Sequence, residues 1–219
     1  IDQEATDILS VKLTGRKVVD FVGPKGIDYA AVNTGRRVKV TDSTVDGVSY
    51  AQRHVLPLVE LEVPFRLEME EIESLVRGAE DVDSDPLIEA AEKVAKAENK
   101  AIFNGLEDAD IKGILQVLEQ PKVEVEEDIV NSTAESVKQL VAEGVEGPYT
   151  LLLGSDLYSL LYKPNDKGYP AKRRLENLLE GDIISAPALG SKGLLLSNRG
   201  GDFEFISGQD ISIGYSYQD

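Results

Sequence analysis

The 219-residue chain contains no cysteine, no tryptophan, one histidine and one methionine. Without cysteine, neither disulfides nor thiolate chemistry is available, and a cytoplasmic setting is the simplest expectation. No apolar run in the sequence reaches the roughly 18 residues that a membrane-spanning helix requires, and no signal-peptide pattern opens the chain. We therefore expect no membrane partner, and 42% hydrophobic residues remain to form a core.

Basic residues are scarce relative to acidic ones. The chain has 23 Lys and Arg against 40 Asp and Glu, a net charge of −17. A protein that packages nucleic acid needs cations to displace the counterions of the phosphates. The charge balance therefore argues against a nucleic-acid partner.

The usual catalytic and cofactor motifs are missing. His54 is the only histidine, so a Ser-His-Asp arrangement depends on it alone, and no Gly-x-Ser-x-Gly turn is present. No glycine precedes a lysine and no Gly-x-Gly pair occurs, which excludes a P-loop and a Rossmann fingerprint. We predict no catalytic residue and no cofactor in this chain. Hydrolysis that depends on His54 is the alternative.

Acidic clusters are the only candidates for a metal site. A ferritin-like di-iron centre uses Glu-x-x-His, but Ala51 stands three residues before His54. The clusters are typical of solvated surface and helix termini, and we predict no metal site in them. They comprise residues 68–71, 81–85 and 124–128.

Local patterns predict a mixture of helices and strands. Asp85 followed by Pro86 is typical of a helix start, and an apolar stripe continues to Asn104. Ser132 and Glu135 form a capping-box pattern for another helix. Further helices are predicted before Gly15 and over 70–77, 156–162 and 171–180. Strands are predicted over 17–22, 27–32, 149–153, 183–185, 194–197, 203–206 and 211–215, and the fold class is α+β.

Residues 59–69 show the clearest alternation of apolar and polar side chains. The segment would span about 36 Å as a strand, and Pro64 favours an edge position. Pairing with residues 37–41 would give a projecting hairpin whose apolar side needs a partner. An ordinary half-buried strand is the alternative. The apolar residues, predicted to form an inter-subunit contact, are Val59, Leu61, Val63, Phe65 and Leu67.

Three sequence motifs occur in an order that resembles the encapsulin shell proteins. They are Gly15-Arg16-Lys17 with Gly23-Pro24, then the run 146–150 (Glu-Gly-Pro-Tyr-Thr), then the tail 200–215. That family has the HK97-type fold of tailed-phage coat proteins and forms icosahedral compartments around cargo enzymes. The resemblance implies a peripheral domain (1–36 and 70–122) with a long spine helix, an extended loop hairpin (37–69) and an axial domain (123–219). It also implies strand material beyond residue 219 and, as in some relatives, an upstream ferritin-like domain.

The resemblance implies a lumenal groove for cargo peptides. The matching positions are Leu9 and Leu13 on one helix face, followed by Arg16 and Asp20. The alternative is that both leucines belong to the core and that the charged residues form an internal salt bridge.

The resemblance also implies a loop at the five-fold pore, formed by residues 163–170. Gly168 stands where some relatives have a histidine, so a histidine gate is not expected. The predicted pore residues are Lys163, Asp166, Lys167, Gly168 and Tyr169.

These observations predict a self-assembling shell subunit of a cytoplasmic nanocompartment. Its partners are many copies of itself and a ferritin-like cargo, fused or separate, so that iron enters only through the cargo. The implied role is iron storage or protection against oxidative stress. The alternative is the major capsid protein of a virus or provirus with the same fold.

Overall fold

The computed structural model describes residues 1–41, 45–118, 123–125, 128–162 and 170–215. Over these residues the chain is a mixture of helices and strands, and the α+β prediction is confirmed. The helices are α1 (Asp2–Lys12), α2 (Met69–Val76), α3 (Asp85–Asn104), α4 (Ile114–Val117), α5 (Ile129–Ala142), α6 (Ser155–Ser159) and α7 (Ala171–Leu179). The strands are β1 (Asp20–Val22), β2 (Ala31–Val40), β3 (Tyr50–Pro57), β4 (Tyr149–Leu153), β5 (Ile183–Ser185), β6 (Gly193–Ser197) and β7 (Glu204–Ile206).

Helix α3 is the longest element and joins the two halves of the molecule. Pro86 lies in its first turn, where the missing N–H costs nothing. The predicted apolar stripe is buried at Leu87, Ala91, Ala95 and Ile102, and α1 packs along the helix. The carboxyl end of α3 carries Ile102 and Phe103 into a core cluster that also contains residues of the C-terminal half.

A three-stranded sheet of order β5-β4-β6 forms the centre of the C-terminal half. Its middle strand β4 is parallel to β5 and antiparallel to β6, and all five of its residues are buried. Because strand side chains alternate between faces, Leu152 joins the cluster around Phe103 while Leu151 and Leu153 join the one beneath α5 and α7. The predicted strands 149–153, 183–185 and 194–197 are confirmed.

The two ends of the described chain meet in a short parallel pair. Strand β1 pairs with β7 from Asp20↔Glu204 to Val22↔Ile206, and the rings of Phe21 and Phe205 lie 5.9 Å apart. The predicted strand 17–22 begins only at Asp20 because a 3-10 turn occupies Gly15–Lys17.

Strands β2 and β3 form a long antiparallel hairpin. The register runs from Ala31↔Pro57 to Val40↔Tyr50, with an irregularity between Asn33 and Arg37. The predicted pairing of residues 59–69 with residues 37–41 is wrong, because 37–40 already pair with 50–53. Residues 58–68 have no regular secondary structure.

Three other local predictions are wrong. Helix α5 begins at Ile129, where the Asp128 carboxylate accepts a hydrogen bond from the Val130 N–H at 2.9 Å. Ser132 therefore lies inside the helix, which extends toward its amino end because Ile129 and Val130 are buried. The tail over 211–215 forms no strand, and of the predicted strand 27–32 only residues 31 and 32 lie in a strand, at the start of β2.

Candidate functional site

The predicted groove lies where α1 ends against α3. Leu13 is buried, whereas Leu9, one turn earlier, is half-buried. The chain after α1 is fixed by Asn99 of α3, whose amide donates to the Lys12 carbonyl at 2.7 Å and accepts from the Gly15 N–H at 2.8 Å. Leu13 therefore belongs to the core, while Leu9 keeps an accessible face.

Arg16 binds two carboxylates and two aromatic rings. Its guanidinium makes a bidentate pair with Glu98, with both N–O distances 2.7 Å, and a third bond of 2.8 Å to Asp210. The guanidinium carbon lies 4.7 Å from the ring centre of Phe21 and 5.7 Å from that of Phe205. Arg16 therefore ties α3, the β1–β7 pair and the tail together.

The surroundings of Arg16 favour its positively charged form. Burial disfavours the cation, but the hydrogen bonds and charges of Glu98 and Asp210 outweigh burial and raise the pKa of Arg16 above its ordinary value. The two carboxylates differ in exposure: the side chain of Glu98 is 5% exposed and that of Asp210 is 45% exposed. Glu98 is thus the buried partner and Asp210 the accessible one.

Asp20 has partners separate from those of Arg16. Its N–H donates to the Phe203 carbonyl at 2.8 Å, and its carboxylate accepts from the Gly201 N–H at 2.5 Å. The internal salt bridge between Arg16 and Asp20, which was the alternative to a groove, is not formed: each side chain is bound to other groups. Arg16 and Asp20 each contact the C-terminal segment, Arg16 at Asp210 and Asp20 at Gly201. These contacts bring the two ends of the sequence together beside α3.

Sequence reasoning missed Glu98 and Asp210. Glu98 had a signal: it lies three residues after Ala95 and four before Ile102, on the apolar stripe of α3. A charged residue at such a position predicts a buried partner of opposite charge. Asp210 had no comparable signal, because its proximity to Arg16 depends on the β1–β7 pairing.

The hairpin exposes an apolar face near its tip. Val38, Val40 and Tyr50 are 55%, 41% and 42% exposed, and the Val40↔Tyr50 pairing places the last two side by side. No side chain of β2 or β3 is buried. We call Val38, Val40 and Tyr50 the hairpin face.

The five alternating apolar residues lie beyond the hairpin strands. Val59 and Leu61 are exposed, whereas Val63, Phe65 and Leu67 are half-buried. No backbone hydrogen bond joins residues 59–67 to any part of the chain that the structure describes. Burial therefore alternates only over residues 62–68, and the segment has no strand partner there.

His54 lies in β3 and contacts a hydroxyl rather than a carboxylate. The Thr34 hydroxyl donates to the His54 carbonyl at 2.8 Å and lies 3.0 Å from the ring Nδ1. Over the described ranges, no group of three His, Asp or Glu side chains is arranged to hold a metal ion. None of the described helices is long and apolar enough to cross a membrane.

The predicted pore residues cannot be placed. Lys163, Asp166, Lys167, Gly168 and Tyr169 lie outside the described residues, between Tyr162 and Pro170.

Comparison with known proteins assigns this chain to one family. Residues 1–219 match the Linocin_M18 family, described as encapsulating protein for peroxidase. The chain is 40% identical to the type 1 encapsulin shell protein of Mycobacterium tuberculosis and 38% identical to that of Rhodococcus erythropolis, in each case over all of this chain and 83% of the relative. A diheme-cytochrome-encapsulin shell fusion protein of Kuenenia stuttgartiensis is 20% identical over 94% of this chain and 59% of its own length.

A solved structure supports the fold. The virus-like particle from Pyrococcus furiosus matches with a TM-score of 0.59 and 17% identity, covering 96% of this chain and 84% of that chain. The predicted HK97-type capsid fold is confirmed. With the match along its whole length, the chain belongs to the Linocin_M18 family of encapsulin shell proteins.

Proposed function

We propose that this chain is a shell subunit that assembles with many copies of itself into a closed icosahedral nanocompartment. The full-length match to shell proteins 38–40% identical carries the proposal. The hairpin face supports it, because an apolar face on an extended hairpin favours aggregation unless a partner covers it.

Light scattering and electron microscopy of the full-length protein test assembly. We expect particles of one size, each containing many subunits. A monodisperse monomer at high concentration would contradict the proposal.

The proposed cargo is a ferritin-like protein, fused or separate, so that the compartment stores iron or protects the cytoplasm from oxidative damage. Shells purified from the native cell should contain a ferritin-like partner and iron. The family description names a peroxidase and one relative is fused to a cytochrome. Shells that contain a haem protein and no iron mineral would contradict the proposal of a ferritin-like cargo and would indicate a haem-protein cargo instead.

Cargo docking is proposed at the groove beside α1. Leu9 offers an accessible apolar side chain, and the side chain of Arg16 is 19% exposed. In this proposal the buried Leu13 lies beneath the groove. Asp20, whose carboxylate accepts a hydrogen bond from the Gly201 N–H, forms the opposite edge. Leu9→Asp should abolish cargo loading while shells still form.

In the proposed layout, residues 1–36 and 70–122 form the peripheral domain, 37–69 the extended loop and 123–219 the axial domain. The loop 163–170 is proposed to lie at a pore. The proposal assigns no enzymatic reaction to this chain. The viral alternative requires packaged nucleic acid, which the charge of −17 disfavours. The ratio of absorbance at 260 and 280 nm of purified shells distinguishes the two.

A further inference from the structure

Helix α7 carries its charges in an unfavourable order. Its first turn contains Lys172, Arg173 and Arg174 and no acid, and Glu180 follows its last residue. Cations near a helix amino end and anions near its carboxyl end interact unfavourably with the helix dipole. Among the described helices of eight or more residues, α7 alone begins with cations. Stability of the isolated subunit does not explain this arrangement.

The basic end of α7, defined as Lys172, Arg173 and Arg174, is poorly paired within the subunit. Lys172 lies 3.8 Å from Glu176, and Arg174 lies 3.7 Å from Asp128. Arg173 is exposed, and its guanidinium forms no hydrogen bond or ion pair with any residue that the structure describes. Its guanidinium is available to another molecule.

An acidic cleft of about 350 Å³ lies at the other end of α7. Val141, Pro148 and Leu178 give it apolar walls, and Val141 is 56% exposed. Glu146 and Glu180 also line the cleft, and neither carboxylate forms an ion pair within the described ranges. An arginine suits such a cleft, because its aliphatic stem covers apolar surface while its guanidinium binds carboxylates.

We propose that the basic end of α7 in one copy docks in the acidic cleft of a neighbouring copy, with Arg173 placed between Glu146 and Glu180. The inference rests on the proposed function, since it names a contact within the shell. The two surfaces are different patches of the same chain, so the contact is head-to-tail and forms a ring when it repeats about a symmetry axis of a closed shell. Arg173 and Glu180 of one subunit are separated by about 10 Å of helix rise, and they form no ion pair with each other.

A second copy fits this cleft better than an unrelated basic partner. Subunits with a net charge of −17 repel one another, and a specific cation–carboxylate contact offsets that repulsion where they meet. The complementary groups also belong to one chain, so every copy supplies both.

Reciprocal charge reversal in the full-length protein tests the contact. The variants are Arg173→Glu, Glu180→Lys and the double variant, and the readout is the protein concentration at which half of the subunits are assembled. Each single variant should raise that concentration by about tenfold or more. The double variant should return it to within about threefold of wild type, because the swapped charges again attract each other across the interface.

Lys138 and Glu135 of α5 provide a matched control. They form an exposed pair at 3.2 Å, so Lys138→Glu and Glu135→Lys change the net charge by the same amounts. These controls should shift half-assembly by less than about twofold. Circular dichroism of every variant verifies that the helices are retained.

The outcomes separate this contact from shell formation itself. If wild type does not assemble, both proposals fail. If wild type assembles and the single variants do so equally well, or the folded double variant is no better than the singles, the head-to-tail contact is wrong. If Arg173→Glu removes bound nucleic acid, or Glu180→Lys removes a basic cargo, while assembly is unchanged, these surfaces serve those ligands and the inference is overturned.

Discussion

The sheet β5-β4-β6 and the hairpin β2–β3 differ in how far the chain itself buries their side chains. Every residue of β4 is buried by side chains of the same chain, in two clusters on the two faces of the sheet. The hairpin strands are longer, yet none of their side chains is buried. The molecule thus consists of a self-sufficient core and an extension whose apolar surface the chain itself leaves exposed.

The largest expected effect separates assembly from folding. A charge in the hairpin face, Val38→Asp, should abolish shell formation because a buried, unpaired carboxylate is strongly unfavourable at an apolar interface. The unfolding free energy of the disassembled subunit should change by less than about 0.5 kcal/mol, since Val38 is exposed.

Lys39→Ala, which changes the net charge by −1 as Val38→Asp does, is the control for this experiment. The side chain of Lys39 points to the opposite side of the strand from Val38, and sedimentation velocity measures assembly of both variants. Shells of Val38→Asp in normal yield would show that the hairpin face is not an interface.

The ion pair of Arg16 should be the costliest single contact to break inside the core. Glu98→Ala leaves the guanidinium half-buried with only Asp210, and should lower the unfolding free energy by about 3–5 kcal/mol. Asp210→Ala should cost about 1 kcal/mol or less because the Asp210 carboxylate is 45% exposed. Urea unfolding of the disassembled subunit measures both, and equal losses would contradict the assignment of Glu98 as the buried partner.

Shortening a buried side chain of β4 tests whether the C-terminal half is stabilised by its own core. Leu152→Ala removes a side chain with 0% exposure and should cost about 2–5 kcal/mol. Val40→Ala in the hairpin should cost less than about 0.5 kcal/mol in the same urea experiment. Similar losses at both positions would mean that the hairpin is buried within its own subunit.

The smallest expected effect concerns the turn before β7. A hydrogen bond from Arg199 is the main cause that lowers the pKa of Asp202 below its ordinary value. The stabilisation is therefore present above the unfolded pKa of about 4 and is lost as the pH falls through the lower folded pKa. Because the pair is solvent-exposed, Asp202→Asn should cost only about 0.5 kcal/mol or less at pH 7.

Urea unfolding of Asp202→Asn at pH 7 and at pH 2.5 checks the sign. The difference from wild type should shrink at the lower pH. A difference that grows on acidification would contradict the proposed pairing.

Sequence patterns predicted the core better than the extension, for a physical reason. The apolar run of β4 and the stripe of α3 report burial within the chain, so these elements were predicted correctly. The alternation over residues 59–69 shows that apolar side chains recur at every second residue, but it does not show which segment pairs with them. Non-local contacts decide the pairing. For the same reason, a strand was wrongly predicted over 211–215, and the contact between Asp210 and Arg16 was not predicted.

Electron cryo-microscopy of the assembled full-length protein is the most direct test of the central claim that a second copy covers the hairpin face. We predict a closed shell in which side chains of a neighbouring subunit contact Val38, Val40 and Tyr50. A shell with this face in solvent, or covered by its own subunit, would contradict the account.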